Sequence, residues 1–200
     1  MDLVVATGNQ GKFKEIVEFL ADPRLRLLPW WSFSVGPLPV EDGQTFEENA
    51  AKKARAAADL TGVVALADDS GLEIEALGGM PGIQSARFAG EGASDEERNR
   101  CILERLEGVP FDRRNARFRC AIAIAEPKGP IYLVTGICDG VIAFSARGSH
   151  GFGYDPIFYL PERGCTMAEL SLAVKNRVSH RAQALAKAKG ILEKIIAASG

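Results

Sequence analysis

The order in which apolar runs and helical patterns follow one another constrains this chain most. Through the first half they alternate. The apolar run Leu3 to Ala6 predicts a strand, followed by the polar glycine loop Thr7 to Gly11 and a helix from about Lys12 to Ala21 with Ile16, Val17 and Leu20 on one face. A second strand is expected over Leu25 to Leu28. Thr45-Phe46-Glu47-Glu48 has capping-box spacing and opens an alanine-rich helix to about Leu60, stopped by Gly62 and followed by a strand from Val63 to Ala67. The same signature at Ser94 to Glu97 starts a helix to about Leu106, ending at Gly108. Strands then follow one another. Ala116 to Ala125 alternates, with Phe118, Cys120, Ile122 and Ile124 on one face, and pairs with Ile131 to Ile137 and Val141 to Phe144 as an antiparallel meander. A glycine-dense loop, Gly148 to Tyr154, and an Ala/Lys-rich helix from about Val178 to Ala197 close the chain. Alternation followed by consecutive strands predicts an α/β domain around a mixed sheet.

With 200 residues, 46% hydrophobic and 25% charged, the chain suits one soluble domain spanning residues 1–200. A formal charge of −2, with both signs mixed along the length, provides no basic stripe for a phosphate backbone, so polymeric nucleic acid is not expected as a partner. No uncharged apolar run approaches the ~18 residues of a membrane span, and the amino terminus lacks a secretory pattern. A cytoplasmic protein without membrane contact is expected. Cysteines 101, 120, 138 and 165 are far apart and histidines number two, so neither a zinc cage nor a disulfide framework is indicated; reduced core residues are. The proline-rich stretch from Leu28 to Pro39 reads as a surface excursion whose Trp30 and Trp31 suit either the core or a partner.

Two adjacent carboxylates end the strand Val63 to Ala67, in the run Asp68-Asp69-Ser70-Gly71. Neighbouring strand side chains face opposite ways, so both converge on one ligand only if the backbone bends, as a turn at Ser70-Gly71 permits. The run is a metal or acid–base site, or a plain polar turn. Thr7-Gly8-Asn9-Gln10-Gly11-Lys12 lies between strand and helix, where backbone N–H groups and the helix dipole receive anions. It fails the Walker spacing, with Ala6 and Phe13 where glycine and Ser/Thr belong, and a glycine turn capped by Asn9 also explains it. Lys52 and Lys53, with Glu41, Asp42, Glu47 and Glu48 nearby, offer phosphate donors and metal carboxylates, or solvated helix charges. A last cluster joins Gly151-Phe152-Gly153-Tyr154-Asp155-Pro156, Lys175-Asn176 and Ser179-His180-Arg181. Its aromatic rings suit base stacking and its polar groups suit reading a base edge; packing and capping roles fit them too.

Together these strings, with Gly43-x-Thr45-Phe46-x-Glu48-Asn49-Ala50 and Gly78-Gly79-x-Pro81-Gly82-x-x-Ser85-Ala86-Arg87, resemble the inosine/xanthosine triphosphate pyrophosphatases, the dITP/XTP pyrophosphatase family, from the first strand to the final helix. The resemblance implies a homodimer whose protomers carry a long mixed central sheet flanked by helices, with an active-site cleft between two lobes. It implies Mg2+-dependent hydrolysis of deaminated purine nucleoside triphosphates (ITP, dITP, XTP) to monophosphate and pyrophosphate, which cleanses the nucleotide pool. Carried over, Thr7, Gly8, Asn9, Gln10, Gly11 and Lys12 bind the triphosphate, with Lys53 assisting. Asp69 is the catalytic base and a metal ligand, Glu41 a second ligand, and Asp68 a further ligand or supporting acceptor. Phe152 stacks on the base, Lys175 supports the base or phosphate side, and Ser70, Gly153 and Tyr154 are further substrate-binding positions. His180 or Arg181 would donate to O6 of a 6-keto purine while Asp155 accepts, a pattern inverted in adenine. The alternatives are a Maf-like nucleotide pyrophosphatase of other base preference and a non-catalytic nucleotide-binding regulator.

Overall fold

A computed structural model of the protein describes residues 1–34 and 36–198. Seven strands form one mixed sheet in the order β2-β1-β3-β4-β5-β6-β7. β1 (Asp2–Val5) lies parallel to β2 (Arg26–Pro29) and to β3 (Ala65–Ile74), while β6 (Phe158–Leu160) pairs antiparallel with β5 (Ile131–Ile142) and with β7 (Cys165–Thr166). β4 (Asn115–Ala125) sits between β3 and β5.

The chain divides into two compact units. The first comprises Met1–Asp69, Cys120–Gly136 and the segment from Arg181; the second comprises Ser70–Arg119 and Ile137–His180. In the first unit both faces of the sheet are covered, as a parallel region requires. One face packs Leu3, Val5, Leu66, Cys120, Ile122 and Ile124 against Ile16 and Leu20 of helix α1 (Gln10–Phe19) and its C-cap, and against Ala184, Leu185, Ala188, Leu192 and Ile195 of helix α5 (His180–Ala198). The other packs Val4, Ala6, Ala65, Ala67, Ala121, Ala123 and Ala125 against helix α2 (Phe46–Thr61) and Trp30. On α2 the buried alanines 50, 54, 57 and 58 recur at helical spacing, so small side chains line both surfaces of that layer. Thr45 caps α2 by accepting the Glu48 N–H at 3.1 Å, and Gly62 ends it in the left-handed region at φ 69°.

The second unit closes around Leu72, Ile74, Ile102, Leu106, Phe118, Ile142, Tyr154, Ile157 and Phe158. Helix α3 (Asp95–Arg105) opens with the expected capping box between Ser94 and Glu97. A short helix, α4 (Leu172–Val178), precedes α5.

Two expectations are corrected. No turn occurs at Ser70-Gly71: β3 runs straight through both residues to Ile74, and the Leu72 N–H donates to Ser85 Oγ at 2.9 Å. The two strands expected at 131–137 and 141–144 are one, β5, in which Gly140 is part of the strand. A Cβ there would stand 2.6 Å from the Phe158 ring and 2.7 Å from the Tyr159 carbonyl, so glycine serves close approach of β6. The closing helix expected from about Val178 is α5; the short α4 before it, which was not expected, ends where Ser179 adopts an extended backbone (φ −70°, ψ 157°).

Of the cysteines, Cys120 and Cys138 are buried and Cys101 and Cys165 half-buried, all four reduced. Burial among apolar atoms pushes the Cys120 thiol up to about 12. Trp30 is buried, its indole N–H donating to the Gly36 carbonyl at 3.1 Å; Trp31 is exposed and meets Phe13 edge-on, ring centroids 4.9 Å apart. Among the described residues no helix is long and apolar enough to cross a membrane.

Candidate active site

The first unit gathers the residues assigned to phosphate and metal. The loop 7–11 leaves β1 and turns into α1, whose N-cap Asn9 accepts the Lys12 N–H at 3.0 Å while Thr7 Oγ1 accepts the Asn9 N–H at 3.1 Å. Gln10 and Gly11 are thereby the first helical residues, with their N–H groups at the positive end of the dipole. Lys12 reaches back from this turn to place Nζ 3.3 Å from Asp68 Oδ2.

Because β3 continues without a turn, Asp68 and Asp69 project to opposite faces of the sheet, and each meets its own partners. Asp68 joins the α1/α5 face. There Arg181 donates from Nε and Nη2 to Asp68 Oδ2, both at 3.1 Å, and from Nη1 to Glu15 Oε2 at 2.5 Å. Asp69 joins the α2 face, where Asn49 Nδ2 donates to its Oδ2 at 3.0 Å and Lys53 Nζ stands 3.6 Å from its Oδ1. Lys53 bridges the two sides: its ammonium also donates to Glu41 Oε1 at 2.5 Å and to the Asp68 carbonyl at 2.7 Å.

These surroundings separate the carboxyl groups chemically. At Asp68 full burial opposes ionisation, but Lys12, Arg181 and Lys53 outweigh it and hold the carboxyl well below its usual range. At Asp69 burial wins over Lys53 and Lys12, and the carboxyl is raised above its usual value. Burial likewise opposes charge on Glu41, yet Lys53 prevails and lowers it. Lys53 itself, disfavoured by burial, is held charged by Asp69, Asp68 and Glu41. One aspartate is thus locked ionised and its neighbour is able to take up a proton.

The second unit gathers most of the residues assigned to the base. Asp155 is 2% exposed, accepts the Phe152 N–H at 3.0 Å through Oδ2, and forms a short ion pair with Lys175 through the same oxygen. Lys175 Nζ also lies 4.9 Å from the Phe152 ring centroid. A Cβ on Gly151 would stand 2.0 Å from Asp155 Oδ2, and its φ of +78° suits glycine alone, so the loop closes tightly on that carboxylate. His180, buried, stacks on Phe118 with centroids 4.6 Å and planes 14° apart. Ser70 is half-buried on β3. Tyr154 is packed in the core with its hydroxyl donating to the Ser85 carbonyl at 2.8 Å, a supporting position rather than a ligand-facing one.

Arg181 departs most from expectation. It was expected with Asp155 and His180 as a donor to the base; its 2% exposed guanidinium instead holds Asp68 and Glu15 on the α1/α5 face. Sequence reasoning overlooked Glu15 and Asn49. Glu15 had a signal: Lys12, Glu15, Ile16 and Phe19 share the i, i+3, i+4, i+7 spacing of an inward stripe. Asn49 accepts the Gly43 N–H at 2.8 Å while donating to Asp69, so it ties the segment before α2 to the carboxylate.

The three proposed metal carboxylates do not form a ready cage: among the described residues no group of three His, Cys, Asp or Glu side chains is placed to hold a metal. Glu41 and Asp69 flank the same ammonium, whereas Asp68 lies between Lys12 and Arg181.

A mixed α/β sheet carrying a capped glycine loop, two lysines and two unequally tuned aspartates defines a class of anion-handling protein. The sequence model of the Ham1 family matches residues 3–191, and the chain belongs to that family. A dITP/XTP pyrophosphatase of Desulforamulus reducens is 52% identical over 200 residues, covering 98% of this chain and 97% of the relative. One from Geobacter sulfurreducens is 54% identical over 187 residues, 94% of each chain. The structure of a HAM1 protein from Coxiella burnetii superimposes with a TM-score of 0.88 at 45% identity, covering 97% of this chain and 99% of that one.

Proposed function

We propose that the protein hydrolyses deaminated purine nucleoside triphosphates, ITP, dITP and XTP, to the monophosphate and pyrophosphate. Support comes from the likeness to dITP/XTP pyrophosphatases along nearly the whole chain. The observation that carries the reaction is the unequal pair of aspartates, with the proton-accepting Asp69 beside the charged Lys53. The N–H groups of the loop, Lys12 and Lys53 neutralise the triphosphate, and Asp69 takes the proton of the attacking water. Asn49 orients the Asp69 carboxylate, and Asp68, held ionised, anchors Lys12.

Glu41 and Asp69 fit Mg2+: both are hard oxygen donors, and this ion takes one or two carboxylates and completes its shell with phosphate oxygens and waters. Bound there, Mg2+ supplies neutralisation of phosphate charge and a more acidic water. Phe152 stacks on the base; Lys175 and His180 donate to O6 while Asp155 accepts from N1–H, so adenine leaves buried groups unpaired. The protein acts in the cytoplasm as a homodimer and cleanses the nucleotide pool.

The test is hydrolysis of ITP, XTP, GTP, ATP and modified pyrimidine triphosphates, with Mg2+ and with EDTA, and identification of the phosphate released. Pyrophosphate from ITP and XTP in preference to ATP, lost with EDTA, is expected. Orthophosphate as first product, preference for a pyrimidine, or binding of ITP without turnover refutes the reading.

A further inference from the structure

Gly153, in the loop assigned to the base, is held from behind by both of its backbone polar groups. Asp95 Oδ2, at the start of α3, accepts the Gly153 N–H at 2.6 Å. One turn further along the helix, Asn99 Nδ2 donates to the Gly153 carbonyl at 3.0 Å. The spacing i, i+4 brings both side chains to one face of α3, so a single rigid element grips one peptide unit on each side of Gly153. The next residue is fixed as well, through the Tyr154 hydroxyl on the Ser85 carbonyl. On its other side the loop carries Phe152 and Asp155, both in contact with Lys175.

Asn99 is 5% exposed and donates only from its amide nitrogen; its Oδ1 is buried and meets no hydrogen-bond donor among the described residues. A buried acceptor left without a partner costs more than one neutral amide bond returns. Stability alone therefore favours leucine, of similar volume, at this position on α3, where Ile102 and Leu106 are already core. What the asparagine offers that leucine would not is its bond to the Gly153 carbonyl.

We infer that Asn99, assisted by Asp95, is a positioning residue for base selectivity: it fixes the Gly153 peptide and thereby the angle of the Phe152 ring and the Asp155 carboxylate toward the purine. The inference rests on the functional reading above and extends it to α3, behind the loop assigned to the base.

Asn99→Leu and Asp95→Ala are compared with the wild type in three measurements. Melting temperature is expected to hold or rise in Asn99→Leu. The ratio of kcat/KM for ITP to that for ATP is expected to fall about tenfold in both variants, chiefly through ITP. Amide hydrogen exchange of residues 151–155 in the nucleotide-free protein is expected to accelerate in both. An unchanged ratio in either folded variant overturns the inference, as does a fall in melting temperature that accompanies equal losses on ITP and ATP. Should Asn99→Leu fail to fold, the half-buried Asp95→Ala decides alone. The exchange measurement uses no nucleotide, so a wild type without preference for ITP removes the functional reading, whereas unaltered exchange removes the clamp.

Discussion

Replacing Arg181 by methionine isolates the energetics of the α1/α5 side. The guanidinium is 2% exposed and supplies three hydrogen bonds to two buried carboxylates, Asp68 and Glu15. Removing one partner from a buried ionic group costs about 3–5 kcal/mol, because the remaining charges have already left water. Lys12, 3.3 Å from Asp68, still compensates part of this, which puts the expected loss near the lower end, about 3 kcal/mol. For a chain of this size that corresponds to a fall in Tm of roughly 6–12 °C. The loss depends on pH with a definite sign. In the wild type the folded Asp68 carboxyl lies below its unfolded value of about 3.9, so its stabilisation is complete above that value and disappears as pH falls through the lower, folded one. Without Arg181 the folded value rises, so the gap between variant and wild type is full at pH 7 and narrows as pH falls through the variant's raised folded value. Urea unfolding at pH 7, followed by the fluorescence of buried Trp30, measures it. A gap below about 1 kcal/mol at pH 7 would refute the argument that buried charge compensation dominates here. Arg181→Lys, which keeps the charge but cannot span both carboxylates, is expected between the two.

Asp69→Asn is expected to lower ITP turnover by about 10^2–10^4-fold while Tm holds or rises, since burial already disfavours the charged carboxylate. In the wild type kcat is expected to fall as pH drops through the raised Asp69 value, where the base becomes protonated; retention of wild-type turnover in the variant would remove Asp69 from that role. Gly140→Ala forces a methyl group against the Phe158 ring and the Tyr159 carbonyl, and is expected to cost about 1–3 kcal/mol in thermal unfolding. An unchanged melting temperature there would contradict the packing of β6 on β5.

What the sequence revealed follows the range of the interactions involved. Helix α2 was legible from end to end because Thr45, Glu48 and Gly62 act within one turn of its ends. β3 and β5 were cut short because Ser70-Gly71 and Asp139-Gly140 carry local turn chemistry, and sequence-distant neighbours override it: Ser85 on Leu72, and Phe158 against Gly140. β6 and β7, three and two residues long, are too brief to show a period. The seven residues of α4 make too few turns to show a helical period, whereas α5 does. Within the site, the aspartate pair, the loop and both lysines were legible as types in a pattern. Glu15, Asn49 and Asn99 escaped notice because a polar residue on a helix looks solvated until its partner, distant in sequence, is known.

The unbroken course of β3 also bears on how such a site could change. With Asp68 and Asp69 on opposite faces, substitutions on α2 act on the proton acceptor, and substitutions on α1 or α5 act on the ionised anchor. On the proposed function, the partners of one aspartate bear on the pace of the reaction and those of the other on its grip on phosphate. Lys53 reaches across, through the Asp68 carbonyl and the Asp69 carboxylate, so a substitution there acts on both aspartates.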